Sequence, residues 1–194
     1  PLVVHGPDVE PGVDEDFHYQ VDLAPTVTEL VGGDVPDGWD GQSFAPSVTE
    51  GASVGREFLV VSQGAWACQR GVRWDDWLLL RTYHDGYKQA LADVMLFDLA
   101  NDPHETTDLA DEKPDVVTEG LAKLGRWLDD RMLEAATGEN GGNPDVPDGV
   151  TDPMWDVVRE GGPLHCKGSL EPYASYLESQ GRPDQAAELR ERHG

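Results

Sequence analysis

Apolar residues recur with two periods along this chain, and the changes between them predict its elements. Leu2-Val3-Val4, ended by Gly6-Pro7, reads as a short buried strand. Between Tyr19 and Gly32, Leu23, Val27, Leu30 and Val31 fall at helical spacing. Asp22 is placed to cap that helix, Pro25 lies in its first turn, and Gly32-Gly33 ends it. Residues 34–56 read as turns, marked by Pro36-Asp37-Gly38 and Asp40-Gly41. Four strand candidates follow, over Glu57–Gln63, Ala67–Trp74, Trp77–Tyr83 and Asp93–Leu99. Asp75-Asp76 suits a hairpin turn, so these strands are expected to be antiparallel. Asn101-Asp102-Pro103 breaks the pattern. A long amphipathic helix is predicted from Pro114 to Ala136, with Val117, Leu121, Leu124, Trp127, Leu128 and Met132 on one side. Gly138–Thr151 has the composition of a linker, and the tail beyond it holds helical patterns at Leu170–Gln180 and Pro183–Arg192.

These elements describe an α+β protein whose 194 residues suffice for a buried core without disulfides or metal. Charge changes the picture more than size does. Asp and Glu number 38 against 14 Lys and Arg, a net charge of −24, with Lys only at 88, 113, 123 and 167. Such a surface repels itself at moderate salt, and at molar salt a Debye length of about 3 Å screens it. The acids are dispersed rather than gathered into a tail, so adaptation to high salt explains them better than a basic partner does. No Lys/Arg cluster suits a phosphate backbone, which argues against nucleic acid. No apolar run reaches the roughly 18 residues of a membrane span, which argues against a transmembrane helix. Cys68 and Cys166 have no metal-ligand spacing and read as buried or idle thiols. The abrupt apolar start without Met reads as the interior of a longer protein.

Four segments, in order, resemble elements of one known enzyme family. Val21-Asp22-Leu23-Ala24-Pro25-Thr26 with Gly32 is similar to a scaffold helix of that family. Pro36 followed by Asp40-Gly41-Gln42-Ser43-Phe44 is similar to the element after it. Arg70-Gly71-Val72-Arg73 with Trp77-Leu78-Leu79-Leu80, and then Leu96-Phe97-Asp98-Leu99-Ala100-Asn101-Asp102-Pro103-His104-Glu105 with Asp108-Leu109, complete the series. Each match is weak alone; together they span residues 1 to about 112. The family they resemble is the sulfatases of the alkaline-phosphatase superfamily, and the resemblance implies the C-terminal portion of a sulfatase. Residues 1–56 would end its large α/β domain in a final strand–helix unit. Residues 57–137 would form a small four-stranded antiparallel sheet packed with a long helix, joined by a 138–151 linker to a helical tail over 152–194. In Asp102-Pro103-His104-Glu105, Asp and Pro are turn formers and Glu is placed to cap the segment after the turn.

The family, by the same resemblance, hydrolyses sulfuric esters with a formylglycine made within a Cys/Ser-x-Pro-x-Arg motif and a Ca²⁺ held by acidic residues. That motif is absent: Cys68 is followed by Gln69-Arg70, Cys166 by Lys167-Gly168, and no Ser fits. Ester hydrolysis of this kind needs an activated nucleophile and a charge-stabilising metal. The chain alone is therefore expected to be inactive, with no catalytic residue, metal ligand or cofactor of its own. The missing N-terminal catalytic domain is its expected partner, and a sulfated small molecule or glycan the substrate of the whole. Candidate substrate-binding residues are Arg81, Tyr83 and His84, where the third strand ends in polar and aromatic groups. His165 and Lys167 join them from a second turn rich in cations. The plain alternative is that all five are loop residues. Trp66, Trp74, Trp77 and Trp127 read as core or sheet-edge packing. Two other readings stay open: a related phosphodiesterase or phosphonate monoester hydrolase, and a non-enzymatic acidic module that forms a homo-oligomer. A cytoplasm at high salt fits the acidity better than secretion does, but any address signal would lie before Pro1.

Overall fold

The computed structural model describes residues 2–6, 9, 11–86, 91–137, 152–159, 161–163 and 168–193. They combine a four-stranded antiparallel sheet with six helices, a mixed α and β fold as the periodicities predict. The chain divides into two compact units. One holds the residues up to Leu59 with the end of the long helix from Asp129; the other holds Val60–Leu128 with the tail. No described helix is long and apolar enough to cross a membrane.

In the first unit a 3₁₀ turn, Gln20–Asp22, leads into α1, Leu23–Leu30, and a loop leads on to α2, Ala45–Glu50. Helix α1 lies where its spacing predicts, but its buried face differs from the expectation. Pro25 and Thr26 are buried, while Val27, Leu30 and Val31 are exposed. Asp22 stands at the N-cap position of α1 as predicted, but its side chain makes no cap hydrogen bond to that helix. It is fully buried, and its carboxylate accepts the Tyr19 N–H at 2.6 Å, the Gln42 N–H at 2.7 Å and both arms of the Arg56 guanidinium. Thr26 completes the joint: its hydroxyl donates to the Asp22 carbonyl at 2.6 Å and accepts the Phe44 N–H at 2.9 Å. Two motif segments that are separate in sequence thus become one polar seam. Glycine is required at position 41, where a Cβ would lie 2.3 Å from the Val21 carbonyl oxygen. Helix α2 falls inside a stretch that reads as turns; its single short span with Pro46 gives periodicity little to register. The expected strand at Leu2–Val4 is not formed. Leu2 and Val3 are well exposed, and a strand needs a neighbour to satisfy its N–H and C=O groups.

The second unit is built on β1, Leu59–Gln63, β2, Cys68–Trp74, β3, Trp77–His84, and β4, Val94–Asp98, in that spatial order. Trp74 pairs with Trp77, so Asp75-Asp76 makes the predicted two-residue turn, with Asp75 at φ 40°. Val72, Trp74, Leu79 and Leu96 form the core of one sheet face and are essentially fully buried. Helix α3, Pro114–Thr137, packs there through Gly120, where a Cβ would lie 2.7 Å from Trp74 and 2.8 Å from Leu79. Of the stripe predicted for α3, Leu124 is buried, whereas Leu121 and Met132 are exposed. The outer edge of β4 is closed by Asp108, which accepts the Leu96 N–H, and by the Leu109 N–H, which donates to the Leu96 carbonyl. That arrangement pairs an edge that would otherwise offer free backbone groups.

Candidate functional site

The predicted site lies at the end of β3, where the register breaks. Gln69 faces Thr82 but Cys68 faces His84, so Tyr83 is an extra, bulged residue. A bulge re-aims the side chain it carries. The Tyr83 ring meets Trp155 edge-on, with centroids 4.7 Å apart, and lies 5.9 Å from the Arg81 guanidinium carbon. Burial pushes the Tyr83 phenol above its ordinary pKa, against the opposing pull of Arg70 and Arg81.

Trp155 belongs to α4, Pro153–Arg159, which the periodicity does not anticipate. Its start carries the usual signal, an Asp followed by Pro at the first helical position. Asp152 Oδ1 accepts the Met154 N–H at 3.0 Å, and the same carboxylate takes both arms of Arg70 from β2. Both side chains are nearly buried, and the Arg70 guanidinium also lies over the Trp127 ring. Burial would raise the Asp152 carboxyl, but the Arg70 and Met154 hydrogen bonds outweigh it and hold it below the ordinary carboxylate range. The tail is therefore fastened to the sheet by a paired charge in a dry setting.

Of the candidate residues, Arg81 keeps about a third of its side chain exposed and donates to the Asp93 carbonyl at 3.1 Å. His84 is half-buried: its Nδ1 accepts the Gly86 N–H at 3.0 Å, and its ring stacks on that of His193. His165 and Lys167 lie outside the described residues, as does Cys166. Trp74 and Trp127 pack as predicted, but Trp66 is largely exposed.

The acids of the remaining motif serve the backbone. Asp102 accepts the Thr106 N–H at 2.7 Å, the Thr107 N–H at 2.8 Å and the Thr106 hydroxyl. Glu105 sits at φ 55°, so Asp102 is the residue that caps this turn.

Among the described residues, one group of side chains is close enough to share a metal ion: Asp14, Asp16 and His18, with ligand atoms within 4.8 Å of one another. It does not fit Ca²⁺, which takes roughly six to eight oxygen ligands. One donor here is a ring nitrogen, 3.0 Å from Asp14 Oδ2, and Asp16 Oδ2 already accepts the Ser53 hydroxyl and the Gly55 N–H. Arg81, Tyr83 and Trp155 thus present a cation and two aromatic edges.

No protein-family model matches the chain. Arylsulfatase K of Xenopus laevis is 29% identical to it over 147 residues, which are 70% of this chain and 27% of that protein. The chain is sulfatase-like. It spans about a quarter of the length of that curated relative. The solved phosphonate monoester hydrolase of Silicibacter pomeroyi superposes on the sulfatase-like chain with a TM-score of 0.51 at 23% identity, covering 66% of this chain and 28% of that one. A Bacteroides thetaiotaomicron protein from a glycosaminoglycan-metabolism locus gives a TM-score of 0.47 at 26% identity, covering 59% of this chain and 27% of that one.

Proposed function

We propose that this chain is the C-terminal portion of a sulfuric ester hydrolase. In that reading the preceding part of the protein supplies the formylglycine nucleophile and the divalent metal, and this part supplies scaffold and one wall of the substrate site. The observation that carries it is the likeness to arylsulfatase K over 70% of the chain. The geometry supports a scaffold role: Asp22, Arg70, Asp102 and Asp108, all within the motif segments, are spent on hydrogen bonds within the fold. In this reading Arg81, Tyr83 and His84, with His165 and Lys167, are the candidates to contact substrate.

The test is an aryl sulfate assay with Ca²⁺, run on the purified chain and on the same chain extended by its upstream coding sequence. The expected result is turnover by the extended protein only. Metal-dependent turnover by the 194-residue chain would overturn the reading. A phosphonate monoester hydrolase is the second reading, favoured by the fold likeness above. The same extended protein separates the two, since preference for a phosphonate monoester over the aryl sulfate selects the second. A non-enzymatic module is favoured by one feature, the exposed Val27, Leu30 and Val31 on α1. Under the first reading that surface seats the upstream domain; under this one it seats a second copy.

A further inference from the structure

We propose that His84, stacked on His193 beneath Gly162, is a proton-released latch that fastens the helical tail to the end of β3. The tail ends in a hairpin of α5, Leu170–Ser179, and α6, Pro183–His193, packed through Ala174, Leu177, Ala186 and Leu189. Two residues at the end of α6 reach the strand. Arg192 forms an ion pair with Asp85, and the His193 ring stacks on His84 with centroids 5.1 Å apart and planes 25° from parallel. The turn after α4 closes over the same ring. A Cβ on Gly162 would lie 2.5 Å from His84, and at φ 110° that backbone conformation strongly favours glycine. One imidazole thus meets both connections of the tail.

The arrangement requires a neutral ring. Nδ1 of His84 accepts the Gly86 N–H, so protonation there would set one N–H against another. The described charged and titratable groups around the ring are His193 and Arg192 from α6 and Asp85 from its own turn, with the backbone of Gly161 behind. Arg192 is shared between Asp85 and Glu188, the latter at 3.8 Å. Burial, and after it His193, hold His84 below its ordinary value of 6.5, with Asp85 opposing. A released tail would restore the ordinary value. Stability of the fastened state is therefore fully present above about pH 6.5 and falls with pH until the depressed value is reached. Within that window one proton is taken up on release, and the opening equilibrium grows by up to about tenfold per pH unit.

Hydrogen exchange on the intact 194-residue chain tests this between pH 8 and pH 5, with rates corrected for intrinsic exchange. Amides of α5, α6, Gly161 and Gly162 should lose protection below pH 6.5, while β2 and β3 keep theirs. His84→Gln retains a donor and an acceptor without titrating, and should flatten the pH dependence of the tail. Constant tail protection in the native chain, or the same slope in His84→Gln, would overturn the latch. Should that variant also loosen the sheet, imidazole ¹⁵N shifts of the native chain decide. A neutral ring titrating below 6.5 supports the latch, and a midpoint at or above 6.5 refutes it.

Discussion

Asp22 shows how much one residue carries in this fold. Its carboxylate is buried with Arg56, whose side chain is 17% exposed, and it also takes two backbone N–H groups. Replacing it by Asn leaves the guanidinium without its counter-charge, and breaking such a pair typically costs about 3–5 kcal/mol. Urea denaturation of Asp22→Asn should show that loss, and the double replacement Asp22→Asn/Arg56→Met, which keeps an acceptor for the backbone N–H groups and removes the unpaired charge, should recover part of it. The pH dependence has a definite sign. Burial raises the Asp22 carboxyl, but the hydrogen bonds from Arg56, Gln42 and Tyr19 prevail and lower it. Its contribution is therefore whole above the unfolded value near 3.9 and lost as pH falls through the lower folded value. Asp22→Asn should remove that part of the acid transition, which pH-dependent circular dichroism would detect. An Asp before a helix reads as a cap. The partner that makes Asp22 a buried ion lies 34 residues away, beyond the reach of any local pattern.

At the scale of elements, α3 offers a paired test. Gly to Ala inside a helix ordinarily gains about 1 kcal/mol in propensity. At Gly125 a Cβ meets nothing within 4 Å, so Gly125→Ala should raise the melting temperature. At Gly120 the same methyl meets Trp74 and Leu79 below 3 Å, in a packed core where overpacking costs about 1–3 kcal/mol. Gly120→Ala should therefore lower the melting temperature, and an increase there would contradict the packing of α3 on the sheet. The four strands and four of the helices were legible because each carries enough periodic residues to register. Helices α2 and α4 were missed because six and seven residues give less than two turns. The candidate site was legible only as a segment. Arg81, Tyr83 and His84 are neighbours in sequence, but the bulge turns Tyr83 toward Trp155 while His84 is taken up by the Gly86 turn and α6.

For the whole molecule, charge and the exposed apolar residues pull in opposite directions. A net charge of −24 on 194 residues disfavours the compact state through self-repulsion, and salt relieves it. The melting temperature should rise steeply between 0.1 M and 3 M KCl; a flat response would remove salt adaptation as the reason for the acidity. Salt also strengthens apolar association, and Val27, Leu30 and Val31 stand exposed on α1. Light scattering after size exclusion in both salts should then show dimers or larger species at high salt, reduced by Leu30→Glu. A monomer at every salt concentration would argue that this surface serves only a domain of the same protein.

Sequence alone determined the α+β class, the hairpin at Asp75-Asp76, the long helix, the surface charge and the sulfatase-like order of motifs. The first four rest on local periodicity, turn chemistry and composition, which need no knowledge of distant contacts, and the last rests on resemblance to a known family. Tertiary structure alone decided which motif residues are spent on the fold. Asp22 meets Arg56, Arg70 meets Asp152 and His84 meets His193 across separations of 34, 82 and 109 residues. It also decided that the apolar stripe of α1 faces outward, because a helix stripe specifies that something must cover it and leaves open what that is.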